Sequence, residues 1–290
     1  MGGTTLKRVA ASLLLLAASP ALADPKGETG YGVDLPAGRP ADARLVWADE
    51  FDRPTVNPLK WRFDTSRNKL GWWNDELQYY AADRRENVRV EGGRLVIEAR
   101  HDDLADPKPA DWGGQRYSSA KLMTQGLADW TYGFFEVRAK LACGRGTWPA
   151  IWMMPADPAA PWPQGGEIDI MEHVGWDEGT VHGTLHSGKY NHTVHTARGG
   201  AVKLPDVCGA FHRYQLDWNK DRILIGVDDR AFVRIDNDQP GDVGAWPFDK
   251  PQYLILNLAV GGWGGRQGVD EAAFPARFEV DYVRVYQRPR

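Results

Sequence analysis

The sequence predicts an all-β fold, a sandwich of two packed antiparallel sheets. Three observations carry that prediction. Short apolar segments alternate with polar positions at a period of two, turn residues separate them, and helical periodicity is scarce along the 290 residues. Leu95, Ile97 and Ala99 form one such segment. Phe135, Val137, Ala139 and Leu141 form a second apolar face, with Glu136 and Arg138 opposite. Tyr214, Leu216 and Trp218 lead through the turn Asn219-Lys220-Asp221 into Ile223-Leu224-Ile225. Asp228-Asp229 then turns the chain into Ala231-Phe232-Val233.

What precedes these strands reads differently. Lys7 and Arg8, the apolar Leu13–Leu16 and the small-residue site Ala21-Leu22-Ala23 have the pattern of a signal peptide over residues 1–23. Export to a periplasm or out of the cell is therefore expected, with a mature start near Asp24. That apolar stretch is too short to span a bilayer. Residues 24–42, rich in Gly, Pro and Asp, are expected to be a loose leader, and 43–290 one large β domain. Without Lys7 and Arg8, 33 basic side chains stand against 39 acidic ones, a net charge of −6. With no basic stripe, nucleic acid is not an expected partner. A monomer is expected. Cys143 and Cys208 are the only cysteines, and either a bridge or two buried thiols fits an exported protein.

The stretch Gly165-Gly166-Glu167-Ile168-Asp169-Ile170-Met171-Glu172-His173 is the chemically richest. In a regular strand Glu167 and Asp169 share one face, and Glu172 falls on the other, beside the two isoleucines. An unpaired carboxylate buried there is costly. A β-bulge at Met171 repairs the phase and returns Glu172 to the face of the other two acids. Three carboxylates on one face cannot all ionise freely at neutral pH, so one stays protonated while another is charged. Glycosidic cleavage uses that division. The two glutamate Cα atoms lie about 13 Å apart along a strand, and side chains leaning together approach the roughly 5–5.5 Å of a retaining pair. On this reading Glu167 is the nucleophile, Glu172 the general acid/base, and Asp169 holds the proton network between them. Calcium binding or simple solvation are the other uses of such an acid row.

Glu167-Ile-Asp-Ile-Met-Glu172 resembles the bulged active-site motif of the laminarinase-like β-1,3-glucanases of glycoside hydrolase family 16. The resemblance extends to Trp47-Ala48-Asp49-Glu50-Phe51-Asp52, Asn74-Asp75-Glu76-Leu77-Gln78-Tyr79-Tyr80 and Ser119 to Thr124. It continues through Tyr132 to Lys140, Gly146 to Pro155, Asn257 to Gly262 and Asp281 to Tyr286. It implies a concanavalin A-like jelly roll whose concave face holds the substrate cleft, and a catalytic domain over 43–290.

The chain has 13 tryptophans. Trp47, Trp61 and Trp218 are candidates for the core. Trp72, Trp73, Trp112, Trp162, Trp176 and Trp263 lie in Gly/Pro-rich or polar stretches, where an indole can stack on a pyranose. The resemblance implies substrate-stacking roles for Trp148, Trp162 and Trp263, and substrate hydrogen bonds from Asn74 and His186. A turn asparagine and a structural histidine are the plainer alternatives. Residues 101–116, with Asp106-Pro107, Pro109 and Trp112-Gly113-Gly114, are expected to form a loop at the cleft rim.

The resemblance further implies a structural calcium ion held by Glu50, the Gly93 carbonyl and Asp281, away from the cleft. No cofactor is expected for catalysis. The implied activity is secreted, retaining endo-hydrolysis of laminarin-type β-glucan. Cleavage of mixed-linkage β-1,3-1,4-glucan, transglycosylation by the same residues and glucan binding without catalysis are the alternatives. Retention of Glu167, Asp169 and Glu172 together speaks against the last.

Overall fold

The structure is a computed structural model and describes residues 31–102, 104 and 108–289. The expected signal peptide, residues 24–30 and Asp106-Pro107 lie outside the described residues. In chain order the first strands are β1 (Tyr31–Pro36), β2 (Arg44–Asp49), β3 (Arg62–Phe63), β4 (Gln78–Tyr80), β5 (Val88–Glu91) and β6 (Arg94–His101). Next come β7 (Tyr117–Ser119), β8 (Lys121–Met123), β9 (Gly133–Lys140), β10 (Thr147–Pro155), β11 (Glu167–His173) and β12 (Thr180–His186). The last are β13 (Arg198–Lys203), β14 (His212–Trp218), β15 (Arg222–Val227), β16 (Arg230–Asp236), β17 (Gln252–Val260) and β18 (Ala276–Gln287). Among the described residues the only helical segments are three short 3₁₀ turns, and no helix is long and apolar enough to cross a membrane.

Two sheets result. One has 11 strands in the order β1-β16-β15-β14-β9-β18-β6-β7-β4, with β2 also on β18 and β5 on β6. The other has 7, in the order β13-β12-β11-β10-β17-β8-β3. Alternation along each strand decides which side chains meet between them. Ile97, Phe135, Val137, Leu216 and Val283 come from the first sheet, and Ile151, Met153, Ile168, Ile170 and Leu256 from the second. All are 0% exposed and belong to one core. Each such side chain contributes about 1.5–3 kcal/mol. The fold is the two-sheet sandwich that the alternating segments foretell, in the jelly-roll form that the resemblance implies.

The two outer faces differ. That of the 11-stranded sheet is a lattice of charges: Glu98 meets Arg89, Arg100 and Arg277, Lys140 meets Glu279, and Asp281 meets Arg138. That of the 7-stranded sheet carries indole rings, histidines and the acid row.

Two expectations need correction. The leader is not loose throughout, since Tyr31–Pro36 is a strand antiparallel to β16 and Ala37 is buried. The backbone groups of Tyr31–Pro36 find their partners in a strand nearly 200 residues away, so local composition does not reveal the pairing. Trp72 is not a sugar platform. It is 8% exposed, donates its indole N–H to Asn68 Oδ1 at 3.1 Å and packs edge-on to Tyr80. Trp112 is half-buried against Tyr79, Ala81 and Leu104.

Among the core candidates, Trp61 and Trp218 are fully buried. Trp47 is half-buried at the core's edge, its ring edge-on to Trp61 and Trp130. The two cysteines are bridged, with Cα atoms 5.9 Å apart and a sequence separation of 65. Closing a loop of that length stabilises the fold by about 4 kcal/mol through loss of unfolded-chain entropy.

Candidate active site

The acid row stands on β11, between β10 and β12. On β10, Trp152 pairs with Asp169 and Ile151 with Met171, so Ile170 is the extra residue. On β12, Thr184 pairs with Asp169 and His182 with Glu172, so Ile170 and Met171 together oppose Gly183. The bulge thus exists, but it begins one residue before the expected Met171. Both bulge side chains enter the core at 0% exposure. Gly183 is needed there, because a Cβ on it would lie 2.8 Å from Ile225 Cγ2 of the opposing sheet. Two consecutive inward side chains return Glu172 to the outer face with Glu167 and Asp169.

Burial raises the pKa of all three acids. Glu167 is pushed up to about 8 by desolvation first and then by the charge of Asp169. Glu172 rises to about 7 through desolvation and the charge of Glu167. Asp169 lies well above the usual carboxylate range, through desolvation and the charge of Glu172. The three titrate as one cluster that holds protons at neutral pH.

Each end of the row has its own wall. At the Glu172 end, Trp148 donates its indole N–H to Glu172 Oε1 at 3.1 Å. Trp263 stands edge-on to Trp148 and to His182, with ring centroids 5.9 and 4.8 Å away. Trp176 donates to the Trp263 carbonyl at 2.7 Å. Asn74 reaches this wall through Gly262, whose φ is +53° and whose Cβ position lies 2.9 Å from Trp148 Cζ3 and 3.0 Å from the Asn74 carbonyl oxygen. Only glycine combines that backbone with that space. At the Glu167 end, His186 faces Glu167 across the strand pair, with Nε2 3.3 Å from Asp169 Oδ2. Trp162 lies beside His186 and, at a ring-centroid distance of 5.0 Å, beside His192. The structure therefore gathers Glu167, Asp169, Glu172, Asn74, Trp148, Trp162, His186 and Trp263 around one face.

Several residues of this face escaped the sequence reading. Trp152 donates to Asn257 Oδ1 at 2.7 Å, and Asn257 donates to the Tyr80 hydroxyl at 2.9 Å. Lys121 lies over the rings of Trp72 and Trp152, each at 5.1 Å, and pairs with Asp64 at 2.9 Å. Beside them Glu76 is half-buried, and desolvation raises its pKa. The signal for Trp152 and His182 was spacing: four residues from Trp148 and from His186, they share a face along a strand. Lys121, Asn257 and Glu76 carry no such signal.

The expected calcium ligands do not form an oxygen cage. Glu50 accepts two hydrogen bonds from Arg284, at 2.8 and 2.9 Å, and Asp281 pairs with Arg138. Guanidinium groups already neutralise both carboxylates, so this donor set does not fit a calcium ion.

Paired acids that share protons, in a trough walled by indole rings, make a machine for cleaving bonds between sugars, and the class of protein is a glycoside hydrolase. The chain belongs to Glycosyl hydrolases family 16, whose sequence profile matches residues 76–284. It is 51% identical over 252 residues to a beta-glucanase of Rhodothermus marinus, covering 84% of this chain and 85% of that protein. It is 36% identical to glucan endo-1,3-beta-glucosidase A1 of Niallia circulans, over 91% of this chain and 41% of that longer protein. Among solved structures it superimposes with a TM-score of 0.87 on SCLam, a non-specific endo-β-1,3(4)-glucanase of the family. That match has 62% identity and covers 89% of this chain and all of the other.

Two predictions follow from the charges. Folding favours protonated Glu167, because its folded pKa lies above the unfolded value. The stability it contributes is therefore complete below the ordinary glutamate value of 4.5 and lost as pH rises through about 8. The Glu167→Gln variant escapes that loss. Its Tm should exceed the parent's by at least several degrees at pH 8 and match it at pH 4. Calorimetry at both pH values checks this, and an equal shift at both contradicts it. Exhaustive chelation should leave Tm unchanged, and a fall that added calcium reverses would restore the calcium clip.

Proposed function

We propose that this glycoside hydrolase is a retaining endo-β-1,3-glucanase acting on laminarin-type β-glucans. The observation that carries the reading is the bulged strand, which places Glu167, Asp169 and Glu172 on one outer face between two tryptophan walls. The reaction uses the protonation state of the shared cluster in which Glu172 keeps the proton and Glu167 is the carboxylate. That is the reverse of the order in which burial alone holds their protons. Glu167 then attacks the anomeric carbon while Glu172 protonates the leaving oxygen. Glu172 then takes a proton from water, which releases the glycosyl group from Glu167. Asp169 is hydrogen-bonded to Glu167 and keeps the shared proton near the pair as its charge changes. Trp148, Trp162 and Trp263 offer faces for pyranose rings, and Asn74 and His186 supply polar contacts. No step calls for a metal or organic cofactor.

Mixed-linkage β-1,3-1,4-glucan is the second reading. The 62% identity to SCLam favours it, since that enzyme is a non-specific endo-β-1,3(4)-glucanase. Transfer of the glycosyl group to a sugar would use the same residues.

The test is reducing-sugar release from laminarin and mixed-linkage glucan, with the initial product anomer followed by NMR. The parent should cut laminarin with retention, and Glu167→Gln should lose on the order of 10³-fold or more in kcat. Activity on mixed-linkage glucan alone moves the substrate. Binding without cleavage by the parent removes the enzymatic reading of this site.

Export and a monomeric state belong to the same proposal. They rest on the Lys7-Arg8, Leu13–Leu16 and Ala21-Leu22-Ala23 pattern and on a catalytic face complete within one chain. N-terminal sequencing of exported protein should begin at Asp24. A start at Met1 would exclude cleavage.

A further inference from the structure

We propose that Glu167, Asp169 and His186 form a binding site for zinc, and that zinc held there closes the cleft to glucan. The second part rests on the glucanase reading of the site; the first does not.

Geometry carries the inference. One ligand atom each from Glu167, Asp169 and His186 lie within 4.8 Å of one another. Asp169 Oδ2 and His186 Nε2 are 3.3 Å apart. Tetrahedral zinc, about 2.0–2.1 Å from each nitrogen or oxygen ligand, sets neighbouring ligands roughly 3.3–3.4 Å apart. The contact thus has the length of one edge of a zinc tetrahedron.

An independent observation concerns hydrogen bonding. Asp169 and His186 are 3% and 6% exposed, yet Asp169 Oδ2 has no hydrogen-bond partner. His186 Nε2 lies 3.3 Å from it without a hydrogen bond between them, and a cation shared by the two satisfies both.

The donor set selects the ion. Two carboxylates and one imidazole are three donors of types that zinc accepts, and three protein ligands leave the fourth tetrahedral position for water. Calcium and magnesium prefer oxygen-only shells. His186 Nδ1 is buried without a partner, so the imidazole lacks the outer acceptor that usually orients a zinc ligand. That omission costs about 10–100-fold in affinity, which points to a reversible inhibitor site. Metal on the Glu167 oxygen and an attack on the anomeric carbon use the same lone pairs. Zinc and glucan are then mutually exclusive.

Isothermal titration of the full chain with zinc chloride tests the site without reference to activity. One zinc per chain is expected. Binding should weaken at least about tenfold in His186→Ala and in Glu167→Gln, with near-UV circular dichroism reporting that each variant is folded. His186→Gln serves where the alanine variant does not fold. Saturating laminari-oligosaccharide should abolish the zinc isotherm, and cobalt should give the visible absorption of a tetrahedral site in the parent alone. Absence of one-site binding overturns the metal site, and so does binding unchanged in the folded variants. Zinc bound together with oligosaccharide overturns the closure. Cleavage of glucan without zinc binding leaves the glucanase reading intact. Zinc binding at these residues in a chain that cuts no glucan leaves the metal site and removes that reading.

Discussion

The constraint on which this structure depends is phase. A strand buried on one face and acidic on the other must put every apolar residue inside and every carboxylate outside. Glu167-Ile-Asp-Ile-Met-Glu172 does not satisfy that rule at a strict period of two. The bulge resolves it by sending Ile170 and Met171 inward together, against a glycine on β12 and the isoleucine of the sheet behind. A side chain on Gly183 would force Ile225 away and disturb the register of the whole face. Core packing and catalytic geometry are therefore one problem at this position.

The outer faces divide the remaining work. On the 11-stranded sheet, cross-strand Arg, Lys, Glu and Asp pair with one another across the β ladder. On the 7-stranded sheet, the rings of Trp148, Trp152, Trp162 and Trp263 stay half-exposed and border the acids. Their indole N–H groups are used in part to hold the trough's own acceptors, as with Glu172 and Asn257. An indole so tied is rigid and keeps its face free, which lowers the entropy cost of receiving a ring.

Much of this was legible from residue order alone, where period and chemistry coincide. Phe135, Val137, Ala139 and Leu141 alternate cleanly, and all four are buried where alternation puts them. The acids were legible because their phase error has one economical repair. Which of two apolar neighbours begins the bulge was not, since Ile170 and Met171 serve the core equally and cross-strand register decides. Trp72 misled because its polar surroundings supply its partner, Asn68, rather than solvent. Glu50 and Asp281 looked free for calcium because the arginines that neutralise them come from other strands: Arg284 from β18 and Arg138 from β9. Lys121, Asn257 and Glu76 lie in segments that carry the family resemblance, but they reach the face through three-dimensional pairing, and their spacing alone does not assign them to it.

The acid cluster sets a conflict between stability and chemistry. A fold selected for stability alone would leave Glu167 and Glu172 in water or replace them with neutral side chains, since each raised pKa measures a charged form that folding disfavours. Here desolvation is the largest influence on all three acids. The same burial makes a proton available at neutral pH and a carboxylate poorly solvated enough to attack. Relief of that crowding is available to any positively charged group that fits the trough. In the glucan reaction it is the developing oxocarbenium character of the sugar, so the cluster is complementary to a transition state that carries positive charge and to its neutral ground state much less.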